Sequence, residues 1–418
     1  MSAALSIFKS FLQAGFECST HKRRDGVRLD LLKSTEHERF AREDFERLQR
    51  FGIRTVRTGA RWHLVEETPG RFDFASLKVI LDAAEATGTE VLVDLLHFGW
   101  PDDLDVLSPS FPERFRQFTY AVAKFLRSSG YRCCAGIAPV NEISFLSWAG
   151  GEAACVNPYQ TTTSHEIKRN LVRAATAASD VLLNHLPGTR LISPEPVIHI
   201  VPNAEVPGDE EEAEAYRLAQ FQAWDMLSGR MSPELGGKLA YLDVMGLNFY
   251  DRNQWVHNAD TFLRRTDPRF RPVHQIMREV WNRYKRPIFV AETGAEDDER
   301  AGWFDYICQE VSVAHHLGVP VYGICIYPIL NHPGWADDRH CFNGLFDYAD
   351  EHGQRETYQP LAQALIRQHP KLLESFKRTH EIQQHPPTLP ISSPLGLRLS
   401  APAASYESFC ARSSGFVL

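Results

Sequence analysis

The sequence lacks several features that would each steer its function. It has no block of Lys or Arg longer than Lys22-Arg23-Arg24 and a formal net charge of -8, which argues against nucleic acid or an anionic membrane as its main partner. It has no uninterrupted apolar run of membrane-spanning length, and the first residues, Met1 to Lys9, carry no basic leader. A soluble, unexported, cytoplasmic protein is therefore expected. Its eight cysteines (Cys18, Cys133, Cys134, Cys155, Cys308, Cys325, Cys341 and Cys410) show no C-x-x-C spacing, which fits reduced, mostly buried thiols better than a disulfide frame or a zinc site. No G-x-G-x-x-G follows any predicted strand, so a dinucleotide fold is weakly supported. No internal repeat stands out.

What is present is an alternation of short apolar strands and helices. Hydrophobic residues make up 43% and charged residues 23%, close to globular averages, so a large core is possible. Length alone would allow roughly three domains, but single α/β barrels reach over 400 residues with insertions. Strands are predicted at Leu12 to Glu17, Ile53 to Arg57, Glu90 to Leu96, Gly136 to Glu142, Arg190 to Ser193, Leu242 to Asn248, Pro287 to Gly294 and Val321 to Tyr327. Between them lie helical patterns. Thr35-x-x-Glu38 and Ser110-x-x-Glu113 read as capping boxes, helices are expected over Ser164 to His185 and from Asp209 through Trp224, and a last one near Tyr358. Eight buried parallel strands with crossover helices predict a single (β/α)8 barrel over residues 1-375. A Pro- and Ser-rich tail, 376-418, is expected to be poorly ordered.

In such a barrel the C-terminal strand ends open into one pocket, so polar residues that end strands converge. Here they are Glu17 and His21, Arg57 and Arg61, His97, Asn141 and Glu142, Glu195, Asn248 and Tyr250, Glu292, and Tyr327 with Asn331 and His332. Two of them, Glu142 and Glu292, each follow an apolar strand. Paired carboxylates delivered this way suit acid/base or nucleophilic chemistry on a sugar. Trp100, Trp148, Trp255 and Trp335 are either stacking platforms for a sugar or packing residues.

Val-Arg-Thr-Gly-Ala-Arg-Trp (56-62), Leu-His-Phe-Gly-Trp-Pro (96-101), Val-Asn-Glu (140-142), Gly-Leu-Asn-Phe-Tyr (246-250) and Val-Ala-Glu-Thr-Gly (290-294) are the marks of a resemblance. Over about residues 10 to 350 the chain resembles the clan of retaining β-glycosidases, most of all the β-glucosidase-like glycoside hydrolase family 1. The resemblance implies that Glu142 is the general acid/base and Glu292 the nucleophile, that Arg57 and Tyr250 support Glu292, and that Asn141 donates to the sugar 2-hydroxyl. Asn248, His97, His21 and Trp335 complete the implied binding site, with a small glycoside cleaved from its non-reducing end. No cofactor or metal is implied.

The chain departs from the family after the eighth strand. The Glu that grips the far sugar hydroxyls appears as Gly334, and the strand-one Gln appears as His21. Asp337, Asp338 and His340, on the same loop, are candidate replacements. Two other functions fit the same residues: a metal-dependent sugar isomerase or lyase with Glu142, Glu292, His97 and His332 as ligands, and a catalytically silent sugar-binding barrel.

Overall fold

A computed structural model of the chain describes residues 7-384. Eight parallel strands close into a barrel: β1 (Leu12–Gly15), β2 (Thr55–Gly59), β3 (Glu90–Leu96), β4 (Cys134–Val140), β5 (Arg190–Pro196), β6 (Val244–Asn248), β7 (Ile288–Thr293) and β8 (Val321–Ile326). Each pairs with its neighbour in sequence, and β8 pairs with β1, with Leu12 opposite Ile324. This is the predicted (β/α)8 barrel. Closure leaves the barrel sheet without a free edge, so its ladder is satisfied internally.

The barrel encloses a small core of its own. Leu92, Ala138, Ile192, Val244, Phe289 and Ala291 meet inside it, and Phe8 stops its N-terminal end with its ring 5.1 Å from that of Phe289. A much larger apolar layer separates the strands from the surrounding helices. Inward-facing Leu, Ile and Phe therefore fill one end, and the polar strand ends gather at the other.

Several local expectations change. Thr35 does not open a helix: its hydroxyl donates back to the Leu31 carbonyl at 2.7 Å, closing a short helix, Leu31–Ser34, and the next helix is Ala41–Gln49. The helix Phe111–Ser129 starts where predicted, but Ser110 pairs with the Ser108 hydroxyl and Glu113 with Arg116, so no capping box forms. The helix expected from Asp209 through Trp224 breaks into Asp209–Ala219 and Gln222–Leu227. At the break the buried Gln220 amide binds the backbone of Ile198 in both directions. Cys155 is exposed rather than buried.

The boundary expected at residue 375 falls inside a helix, Gln359–Gln384. Phe376 is buried against Phe11, with ring centroids 5.4 Å apart, so apolar contact carries the helix past that point. The remainder of the expected tail, from 385 on, lies outside the described residues. Among the described residues no helix is long and apolar enough to cross a membrane.

One buried ionic cluster ties the N-terminal segment to the last hairpin. Asp44 accepts from His37 at 2.8 Å, Arg47 at 2.6 Å and Arg355 at 2.7 Å, and Arg355 also donates to the Thr35 carbonyl at 2.8 Å. Removing the acid would strand two guanidinium groups in low dielectric. Asp44→Ala is therefore expected to cost about 3-5 kcal/mol, measured as a lower urea midpoint at unchanged slope.

Candidate active site

Arg57 leaves β2 into the C-terminal half of the barrel and is fully buried. All five of its N–H groups are used. Nε and Nη2 donate to the two oxygens of Asp94 at 3.0 and 2.7 Å, and Nη2 also donates to Asn141 Oδ1 at 2.6 Å. Nη1 donates to Glu292 Oε1 at 2.7 Å and to the Ala291 carbonyl at 3.2 Å. A buried guanidinium is tolerated only when paired and fully hydrogen-bonded, which is the case here.

Glu292 reaches this pocket through an irregularity in its strand. Phe289 and Ala291 both face the barrel core, so strict alternation would turn Glu292 outward. The ladder between β6 and β7 shifts register between Leu247 and Asn248, and that between β7 and β8 shifts beyond Ile324. A shift of this kind re-aims the next side chain. The second oxygen of Glu292 then accepts from the Tyr250 hydroxyl at 3.0 Å.

Glu142 is delivered differently. It follows β4 in the left-handed backbone region, φ 49°, at the start of the helix Ile143–Gly151. Such a backbone persists in a non-glycine residue when its surroundings hold it. Its own N–H donates to the Pro194 carbonyl at 3.0 Å, and the N–H groups of Ile143 and Ser144 donate to Glu195 at 2.8 and 3.0 Å. Glu195 thus clamps the turn that aims Glu142. The carboxyl of Glu142 takes one hydrogen bond, from the Asn248 amide at 2.7 Å.

The two glutamates feel each other. Burial and the Glu292 charge push the Glu142 pKa well above its ordinary value, against the Asn248 bond. Arg57 favours the charged form of Glu292, as expected, but does not set the net direction. Burial raises it, and Glu17 and Asp94 add to the rise, although Arg57 and His97 oppose it. Desolvation outweighs a single guanidinium that is shared with Asp94. The order survives, because Arg57 donates to Glu292 alone of the pair, and the more strongly held proton sits on Glu142.

The other expected residues fall around this pair. His97 binds Asp94 through Nδ1 at 2.8 Å and lies 3.3 Å from the Asn141 amide through Nε2. His21 is buried with its ring 4.9 Å from Trp335, and burial lowers its pKa to about 4. His21 Nδ1 and Asn248 Oδ1 are buried without a hydrogen-bond partner. Trp100 belongs to the core, donating to the Leu104 carbonyl at 2.9 Å, whereas Trp148, Trp255 and Trp335 are half-buried.

The loop residues expected to stand in for the acid absent at Gly334 are occupied elsewhere: Asp338 binds Arg23 at 2.7 Å, Asp337 takes the Arg339 N–H at 3.2 Å, and His340 binds Asp347 at 2.9 Å. The metal-ligand set Glu142, Glu292, His97 and His332 does not gather as one cluster. Among the described residues the groups with metal-binding spacing are Cys18-Asp94-His97 and Asp209-Glu212-His257. In the first, Asp94 already holds Arg57 and His97, and burial raises the Cys18 pKa, which disfavours the thiolate a metal needs. Asp94 is the member of the site that sequence reasoning misses, and Glu17 and Glu195 are recognised there only as strand-end acids. For Asp94 the available signal is its place three residues before His97 on a strand that is otherwise apolar after Glu90.

No protein-family model and no curated protein sequence matches the chain. Solved structures do. A family 1 β-glucosidase from Thermotoga maritima is 15% identical, with a TM-score of 0.70, covering 88% of this chain and 98% of that one. Thermotoga maritima β-glucosidase in complex with glucoimidazole gives 0.69 at 15% identity, and in complex with azafagomine 0.68 at 16%, over the same shares of both chains. At this identity the likeness establishes the architecture: the chain has the (β/α)8 barrel fold found in these family 1 β-glucosidases.

Proposed function

We propose that the protein is a retaining β-glycosidase that hydrolyses a small glycoside by double displacement. One observation carries the reading: two buried glutamates in one pocket have opposite supports. Glu292 receives a guanidinium at 2.7 Å on one oxygen and a phenol hydroxyl at 3.0 Å on the other, while Glu142 receives a single neutral amide at 2.7 Å. A nucleophile must be available as an anion, and a general acid must keep its proton.

In the first step Glu142 gives its proton to the glycosidic oxygen as a Glu292 oxygen bonds to the anomeric carbon and the aglycone leaves as an alcohol. In the second, Glu142 takes a proton from water, whose oxygen displaces Glu292 from the same carbon. Both displacements invert that carbon, so the product retains its configuration. Asn141, with Oδ1 held by Arg57, presents its amide toward the sugar 2-hydroxyl, where a hydrogen bond strengthens as positive charge builds at the ring. Tyr250 keeps its proton, because burial and the two carboxylates hold its pKa well above the ordinary value, and it remains a donor throughout.

Two outcomes follow. With Glu292→Ala, hydrolysis of an activated aryl β-glycoside is expected to fall by several orders of magnitude, and azide should restore turnover with the α-glycosyl azide as product. Unchanged turnover in that variant would contradict the assignment. The pH profile of kcat/KM should be bell-shaped. Its acid limb should lie above the ordinary Glu value, where Glu292 loses its proton, and its alkaline limb should follow loss of the Glu142 proton. Glu142→Gln should abolish the alkaline limb on a substrate whose leaving group needs no protonation.

A further inference from the structure

One buried carboxylate in the pocket has no part in that reaction. Glu17 follows β1 and is 8% exposed. Ser19 pins one of its oxygens, with the backbone N–H and the hydroxyl donating to Oε1 at 2.8 and 2.6 Å, and His97 Nε2 lies 3.8 Å from that oxygen. Oε2 has no hydrogen-bond partner among the described residues. Burial works to raise the Glu17 pKa, but His97, His332 and the Ser19 donors outweigh it and bring it below the ordinary value. Its charge reaches Glu292, Tyr250 and Tyr327, so it faces the same pocket. Unlike His21 Nδ1 and Asn248 Oδ1, that oxygen is not sealed off from solvent, so donors of a bound ligand can replace water on it, and a hydrogen bond to a charged acceptor is among the strong ones.

Among the described residues the positive charges at this pocket already face acids, His97 included, which binds Asp94 at 2.8 Å and lies 3.8 Å from Glu17. Every Arg57 N–H is spent within the protein. His21 is neutral near pH 7. At the rim Lys22 and Arg28 pair with Asp102, and Arg23 with Asp25 and Asp338.

We propose that Glu17 is a specificity residue: its Oε2 accepts from hydroxyls of the bound sugar, so the site takes glycosides of uncharged sugars and rejects those bearing phosphate or carboxylate. The inference rests on the reading of the pocket as a glycosidase site, and it names the substrate class. Gly334 offers a sugar no side-chain acceptor and the loop acids near it are held by other partners, whereas Glu17 keeps an open oxygen.

The test uses aryl β-thioglycosides, which bind without being cleaved, in calorimetric titrations. The panel holds glucoside, galactoside, fucoside and xyloside together with 6-phosphorylated and uronic acid forms. The wild-type protein should bind one or more neutral members and none of the anionic ones. Glu17→Gln should weaken neutral binding about 10- to 100-fold, the value of one charged hydrogen bond, and Ser19→Ala, which frees the carboxylate to wander, should weaken it several-fold. If Glu17→Gln fails to fold, Ser19→Ala decides by itself. Wild-type preference for a phosphorylated or uronic sugar, unchanged affinity in the folded variants, or no binding across the panel overturns the proposal. Neutral binding that depends on Glu17, without turnover of the matching O-glycosides, would remove the hydrolytic reading and leave this one standing.

Discussion

The site depends on one buried guanidinium. Arg57 sits where three strands deliver acids or amides, and its five N–H groups bind Asp94, Glu292, Asn141 and a main-chain carbonyl. Its charge cannot be left alone in low dielectric, so the surrounding groups are arranged to satisfy it. That requirement fixes more than Arg57. It orients Asn141 by taking its carbonyl oxygen, which sets the amide on the side of His97 Nε2, 3.3 Å away. It sets one oxygen of Glu292, with Tyr250 setting the other. Through Asp94 it also orients His97.

Against that fixed group, the two glutamates differ by what surrounds them rather than by what they are. Both are buried and both have raised pKa values. Glu292 has a cation in direct contact and Glu142 has not, so the pair separates into a carboxylate that ionises first and one that retains its proton. Glu195 contributes at one remove. It holds the left-handed turn at Glu142, and its own carboxyl, raised to about 7 by burial, lies close enough to raise Glu142 further.

Much of this is legible in the sequence, and the reasons are physical. Closed barrels need short buried strands, and these stand out as apolar runs bounded by polar residues, so β3, β4 and β7 lie within a few residues of their expected places. Barrel geometry then obliges strand ends to converge, which brings Arg57, His97, Asn141, Glu142, Asn248, Tyr250 and Glu292 to one end. Local hydrogen bonding is less readable. Thr35 and Ser110 carry the residue types of helix caps, but their hydroxyls meet the Leu31 carbonyl and Ser108 instead. The irregularity that turns Glu292 inward leaves no mark in Ile-Phe-Val-Ala-Glu. Glu17 reads only as a strand-end acid, because the surroundings that hold its charge, Ser19, His97 and His332, are assembled only by the fold. The helix Gln359–Gln384 runs past the boundary expected at residue 375, where Phe376 packs on Phe11, a contact between the two ends of the described chain.

The central claim is that Glu142 and Glu292 flank one anomeric carbon, with Glu292 bonding to it. The direct measurement is mass spectrometry of the intact protein and its peptides after incubation with neutral 2-deoxy-2-fluoro-β-glycosyl fluorides, which slow the second displacement. The account predicts a gain of one fluoroglycosyl group on the peptide containing Glu292, slower to form in Arg57→Ala and absent in Glu292→Ala. An adduct on any other residue, or none with any neutral sugar that binds the wild-type protein, would contradict it.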